Sequence, residues 1–283
     1  MSMRSILVPW WGESTSTSQL DAALAIARRV EAHLDVVFVR PRSNDLETTL
    51  EPATQATGRA SFEAWRERNG VPGHIVNQQI RVPFAKWSER TGSPEQFILR
   101  KGRLVDMIVL RFPALGDALD RPHDAALFES GHPVLLVPEH VEESLLSHVV
   151  VAWNGSLHST RSVTGAMPLP RAAERVTVLT TADLGRQLGN QGSGGDGAGG
   201  NGPSGDTDLV DALSWHGVEA GHCQLDPNTS PVGKALLQEA GDLKATLLVM
   251  GAATRSRVSA AFLGGTTEHV FRNPPGIPVL MAH

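Results

Sequence analysis

Short apolar runs and amphipathic stretches alternate along the chain, and the alternation occurs twice. Residues 6–8 form a continuous apolar run, as expected of a strand buried on both faces. A polar turn follows at 12–17. Ser18 with Asp21 three residues later reads as a capping box, and Leu20, Ala23, Leu24, Ala27 and Val30 fall at helical spacing. Residues 34–39 predict a second strand, 62–68 a helix, and 75–80 a weaker strand near a sheet edge. A helix opened by a proline is predicted over 94–103. Strands at 106–110 and 133–137 complete the set. The same order then recurs. Strands are predicted at 148–152, 176–179, 219–225, 246–250 and 278–281. Helices are predicted at 160–167, stopped by Pro168 and Pro170, and at 209–216 and 231–240.

Strands alternating with helical patterns imply right-handed crossovers and a mostly parallel sheet. The repeat, in a chain of 283 residues, predicts two α/β domains, 1–140 and 147–283, joined by a short polar linker. One stretch departs from the pattern. Residues 185–205 hold ten glycines and few apolar side chains, too few to offset the entropy of ordering. We expect a disordered insert at about 185–206. Its Ser193-Gly194-Gly195-Asp196 superficially matches a phosphate loop, but it neither directly follows a buried strand nor opens a helix.

Charge and composition narrow the function. The net charge of −5 and the lack of a long basic run disfavour nucleic acid as a partner. No apolar run approaches the ~20 residues a membrane helix needs, and the stretch after Arg4 is too short for a signal peptide. Cys223 is the single cysteine, which fits a reducing compartment. The expectation is a soluble, cytoplasmic protein. Eleven histidines invite a metal reading, but His132, His140, His148, His216 and His222 lack zinc-site spacing, so structural or surface roles are expected.

The candidate chemistry sits after the buried strand that ends at Met250. Gly251 permits a tight turn or a close backbone approach. Thirteen residues later Gly264-Gly265 precedes Thr266-Thr267, at a helix start where backbone N–H groups and hydroxyls would meet a phosphate. Asn154, after the strand at 148–152, would lie at the same sheet edge. Paired glycines before a helix also serve plain turn and capping chemistry, and that alternative stays open. Gly233-Lys234 lacks the upstream glycine of a Walker loop, and the dinucleotide fingerprint is absent. Arg255 and Arg257 lie inside the same loop and could reach a phosphate, though such residues are more often solvated. Ser156 reads as a helix cap rather than a nucleophile beside His158. The first repeat has Trp11 and Arg111 at the positions of Asn154 and Gly251, so no ligand site is expected there. Trp10 and Trp11 would fill its space instead.

These segments resemble a tandem member of the universal stress protein family. The likeness is carried by residues 151–156, 264–270 and 278–281, and covers nearly the whole chain apart from the glycine insert. The family's loop reads G-x2-G-x9-G-[S/T] after the fourth strand. Gly251 matches its first glycine and Gly264 its third. Thr254 stands at the second glycine, Gly265 at the Ser/Thr position, and Thr267 matches a hydroxyl two residues further on. Asn154 stands where the family commonly has an aspartate. The resemblance implies an adenine-nucleotide α-hydrolase-like fold: two tandem open parallel five-stranded sheets, order 3-2-1-4-5, with helices on both faces. It also implies that ATP or another adenine nucleotide binds in the second domain through Asn154, Gly251, Thr254, Gly264, Gly265, Thr266 and Thr267. Mg²⁺ would enter only with the nucleotide. The fifth strands of the two domains would pair within the chain as a pseudo-dimer, and whole chains could pair further as a homodimer. The expected role is stress response or signalling without an assigned catalytic residue. The alternatives are a ligand-free interaction module and, with no acidic cluster to support it, an adenylyl- or phosphoryl-transfer enzyme.

Overall fold

The computed structural model describes residues 2–11, 16–40, 52–74, 83–113, 120–142, 144–181, 207–226, 231–253 and 265–283. The expected glycine insert, the expected strand at 75–80, and Thr254, Arg255, Arg257 and Gly264 lie outside the described residues.

Ten strands form one sheet. In the first half they are β1 (Ser5–Trp10), β2 (His33–Arg40), β3 (Ala85–Thr91), β4 (Met107–Arg111) and β5 (Val134–Val137). In the second half they are β6 (His148–Trp153), β7 (Arg175–Thr181), β8 (Ala220–Leu225), β9 (Leu247–Gly251) and β10 (Val279–Ala282). The spatial order is β3-β2-β1-β4-β5-β10-β9-β6-β7-β8. Each half therefore has the expected order 3-2-1-4-5, and all pairs within a half are parallel. The seam is antiparallel: Val279 faces Leu136, Leu280 faces Leu135, and Met281 faces Val134. This is the expected pairing of the fifth strands within one chain, and it joins the two five-stranded sheets into one. The fifth strands are apolar on both faces and short, so pairing them buries two edges at once.

Helices cover both faces. On one face lie α1 (Ser18–Val30), α2 (Pro52–Arg68), α5 (Leu157–Ala166), α6 (Pro168–Ala172) and α7 (Asp208–Trp215). On the other lie α3 (Pro94–Gly102), α4 (Arg121–Asp124) with the π-helical turn Ala125–Glu129, α8 (Val232–Asp242) and α9 (Gly265–Arg272). Alternate residues of one strand feed the two layers: Ile6 and Val8 enter one, Leu7 the other. Both layers run without interruption through both halves.

Four local features add to or differ from the expectations. The described edge strand of the first half is Ala85–Thr91, whose Lys86, Glu89 and Arg90 hide its strand character behind charge. Only Ala85 and Trp87 mark the inner face, with Trp87 packed on Phe62 and Phe38. The capping box at Ser18 does not form. Thr17 precedes the helix, its hydroxyl donates to Asp21 (3.1 Å), and Asp21 also accepts from the Trp65 indole (2.7 Å). Pro168 does end α5, but it also opens the short α6, where its missing N–H costs nothing. The helical segment at 121–129 has no counterpart in the sequence reading; Asp120 caps it by accepting from His123 N–H (3.0 Å).

The polar ends of the central strands are tied down in both halves. Asp106 accepts from the backbone N–H groups of Arg4 and Ser5 and from the Ser5 hydroxyl, at 2.8, 2.9 and 2.9 Å. Burial opposes its ionisation, but these donors hold its pKa below the usual carboxylate value. The second half uses Thr246 instead, which accepts from His148 N–H (3.0 Å) and donates to the Leu145 carbonyl (2.9 Å). His148 itself is buried between Leu243 O (2.9 Å) and the Thr177 hydroxyl (2.8 Å).

Candidate functional site in the second half

β6 and β9 are paired only as far as Val151↔Val249. Beyond that point their carboxyl ends diverge, at the place where the strand order reverses. A crevice at such a switch point is where open α/β sheets receive ligands. A cavity of about 180 Å³ occupies it. Its floor is apolar: Leu179 from β7, Leu225 from β8, Leu236 from α8 and Met250 from β9. Its rim is polar: Asn154, Ser156, His158, Thr266 and Thr267, with Gly251 and Gly265 between them.

The structure thus brings together five of the residues singled out in the sequence, Asn154, Gly251, Gly265, Thr266 and Thr267. The other two, Thr254 and Gly264, lie outside the described residues. The apolar floor and His158 were not foreseen as a site. Leu179, Leu225 and Met250 stand at or near the carboxyl ends of their strands, and that position was their only signal.

Asn154, Ser156 and Thr267 also have structural tasks. The Asn154 side-chain oxygen accepts from Ser156 N–H (3.2 Å), and the Ser156 hydroxyl accepts from Ser159 N–H (3.2 Å), starting α5 as expected of a cap. The Thr267 hydroxyl is buried and accepts from Ala253 N–H (3.1 Å), which fastens the chain leaving β9 to the first turn of α9. Gly251 is needed because α5 starts on top of it. A Cβ at this position would lie 2.8 Å from Ser159 N and 2.9 Å from the His158 carbonyl carbon, and a backbone cannot yield. Ser162, fully buried in α5, donates to the Met250 carbonyl (2.7 Å) and accepts from Ala282 N–H (3.1 Å), holding the helix there. Gly233 has the same kind of reason: a Cβ there would come within 2.6 Å of His269 Cβ, where α8 crosses α9.

His158 is the ionisable side chain of the described rim. Its pKa lies below the ordinary histidine value, first because the ring is desolvated, then because His283 and Arg161 stand near it. The His283 ring is 4.6 Å away, centroid to centroid, with its Nδ1 2.8 Å from the Ala252 carbonyl oxygen.

At the same corner of the first half the described residues pack on one another. Trp11 packs edge-on against His123, with centroids 6.1 Å apart. His123 is buried and hydrogen-bonded to Asp120 (2.5 Å) and to the Arg111 carbonyl (2.7 Å). Trp10 points to the opposite layer, edge-on to Trp87 at 5.9 Å. Among the described residues there is no group of three metal-ligating side chains, and no helix is long and apolar enough to cross a membrane.

No protein-family profile and no curated protein matches the sequence. Solved structures do match the fold. A universal stress protein from Archaeoglobus fulgidus DSM 4304 superposes with a TM-score of 0.67 at 18% identity, over 98% of this chain and 97% of that one. A protein of unknown function from Pseudomonas aeruginosa PAO1 gives 0.61 at 15% identity, over 98% and 92%. These likenesses span both halves and the seam between them. The chain has the two-domain α/β fold of the universal stress proteins.

Proposed function

We propose that this protein binds an adenine nucleotide in its second half and serves a stress-response or signalling role through that occupancy, with the halves divided in the connection 138–147. The carrying observation is the cavity where β6 and β9 part, apolar at its floor and polar at its rim. The base would lie on Leu179, Leu225 and Met250, and the sugar and phosphates would run outward past Asn154 toward the start of α9. There the N–H groups of the first helical turn and the Thr266 hydroxyl would meet an anion. Mg²⁺ would arrive with the phosphates, since the described rim offers no carboxylate to hold it alone. When bound, the nucleotide would supply charge and surface to the sheet edge and so bias which partner this face accepts.

A ligand-free interaction module is the second reading. It is favoured by one observation: Asn154, Gly251 and Thr267 are each already required by the local fold. Calorimetric titration of ATP into the full chain separates the two. The nucleotide reading expects saturable heat with one site per chain, and nucleotide released from the purified protein on denaturation. The absence of heat and of any thermal shift at millimolar ATP overturns it.

A further inference from the structure

The rim of the cavity pairs a region suited to an anion with a histidine that has nowhere to put a charge while the cavity is empty. His158 sits in the first turn of α5, locked beside Gly251 by the close approach that excludes a Cβ there. The groups facing it are few. From its own helix comes Arg161, whose guanidinium donates to the His283 carbonyl (3.0 Å). After β10 comes His283, ring against ring. The end of β9 and the residue after it, Met250, Gly251 and Ala252, bring no ionisable side chain. From α9 the cavity is lined by Gly265, Thr266 and Thr267, while Glu268, paired with Arg272 (2.7 Å), and His269, packed on Gly233, are not among the lining residues. From the first half comes uncharged Phe128, edge-on to His283 at 5.0 Å. The immediate neighbours are therefore cationic or able to become so, and no described carboxylate touches the ring.

We propose that His158 is a ligand-contacting residue of this cavity and that it takes up one proton when a phosphate-bearing ligand binds. The inference rests on the nucleotide reading of the site for its natural ligand, although any polyphosphate anion would satisfy its chemistry. The proton comes from solvent to the free imidazole nitrogen, and the bound anion supplies the negative charge that the empty site lacks. A charge-assisted hydrogen bond then joins ring and phosphate. Linkage follows: if binding takes up protons, affinity rises as the pH falls toward and below the ordinary histidine value of about 6.5.

Calorimetry of the full chain in two buffers of unlike ionisation heat reads the proton directly. ATP, inorganic tripolyphosphate and adenosine are titrated separately at about pH 7. The expected result is proton uptake with ATP and with tripolyphosphate, and none with adenosine. His158→Gln should abolish the uptake, weaken ATP about fivefold and flatten the dependence of affinity on pH, while leaving adenosine affinity unchanged. His283→Gln should keep the uptake. Buffer-independent heats for ATP binding overturn the inference while leaving the nucleotide reading intact. Uptake that survives His158→Gln, or that vanishes only with His283→Gln, also overturns it. Tripolyphosphate uptake without any ATP or adenosine binding would sink the nucleotide reading but sustain the histidine's role. No heat from any of the three overturns both.

Discussion

The two halves of this chain share a strand order, and their described residues differ at the carboxyl ends of the central strands. In the first half, Trp11 and His123 occupy the corner where β1 and β4 part, and the Arg111 carbonyl anchors the histidine. In the second, the corresponding positions carry Asn154 and Gly251, the helix α5 drops directly onto the glycine, and a cavity remains. The strand order and the flanking layers are shared, and among the described residues the corners differ in side-chain volume at a few positions. A duplicated fold can lose a site by filling it without disturbing the sheet beneath.

The comparison is broken most severely at Gly251. Gly251→Ala should destabilise the protein by about 1–3 kcal/mol, because the new methyl meets backbone rather than a side chain that can turn. Chemical denaturation measures this, and a variant as stable as wild type would show that α5 is not fixed where described. In the first half, His123→Ala should cost roughly 2 kcal/mol, since the buried Arg111 carbonyl loses its partner. The same variant should leave ATP heats unchanged, because the filled corner plays no part in binding.

The halves should also differ in their response to acid. The folded-state pKa of His148 is depressed by burial first, then by Arg175, against the raising effect of the Leu243 carbonyl. The folded state therefore binds fewer protons than the unfolded state there. The stability tied to the neutral ring is complete above the unfolded value of about 6.5, and is lost as the pH falls through the lower folded value. The first half has Ser5 at the matching strand start and Asp106 beside it. The depressed pKa of Asp106 gives stability that is present above the unfolded value of about 3.9 and lost only on further acidification. Denaturation midpoints between about pH 7.5 and pH 5 should fall for wild type and fall less for His148→Gln. Parallel slopes would remove His148 from the explanation.

Smaller effects sharpen the second site. Thr267→Val should cost about 1 kcal/mol by leaving the Ala253 N–H without its acceptor, and Thr267→Ser should restore most of it. Asn154→Asp keeps the acceptor for Ser156 N–H, so stability should change by a few tenths of a kcal/mol at most. If the nucleotide's sugar reaches this position, the restored carboxylate should tighten ATP about fivefold, as charged acceptors outbid neutral ones. Titration of this variant checks it, and unchanged affinity would place the sugar elsewhere.

Most of the sheet was legible because strands such as 107–111 and 247–251 are buried on both faces and announce themselves as unbroken apolar runs. β3 was not, since an edge strand carries the charges that mask it. The turn of helix at 121–129 was not, since it is short and changes from α to π geometry midway, leaving no periodicity to read. At the site, Gly251 could be singled out in the sequence, but its reason is a helix arriving from ninety-odd residues upstream. The floor of Leu179, Leu225, Leu236 and Met250 is assembled from four elements and is visible only once they meet. Likewise, a hydroxyl pattern such as Thr266-Thr267 shows that donors are present, but not that Thr267 already serves Ala253.

The antiparallel seam between β5 and β10 has a consequence for how such proteins vary. Two separate chains meeting through these strands would associate according to their abundance, and every copy would have to remain compatible with every other. Joined through residues 138–147, the partners face each other at a local concentration on the order of millimolar whatever the abundance in the cell. Each half then has one permanent neighbour. The first is free to accumulate changes such as Trp11 and Arg111 that a self-associating subunit would have to carry on both sides of its interface.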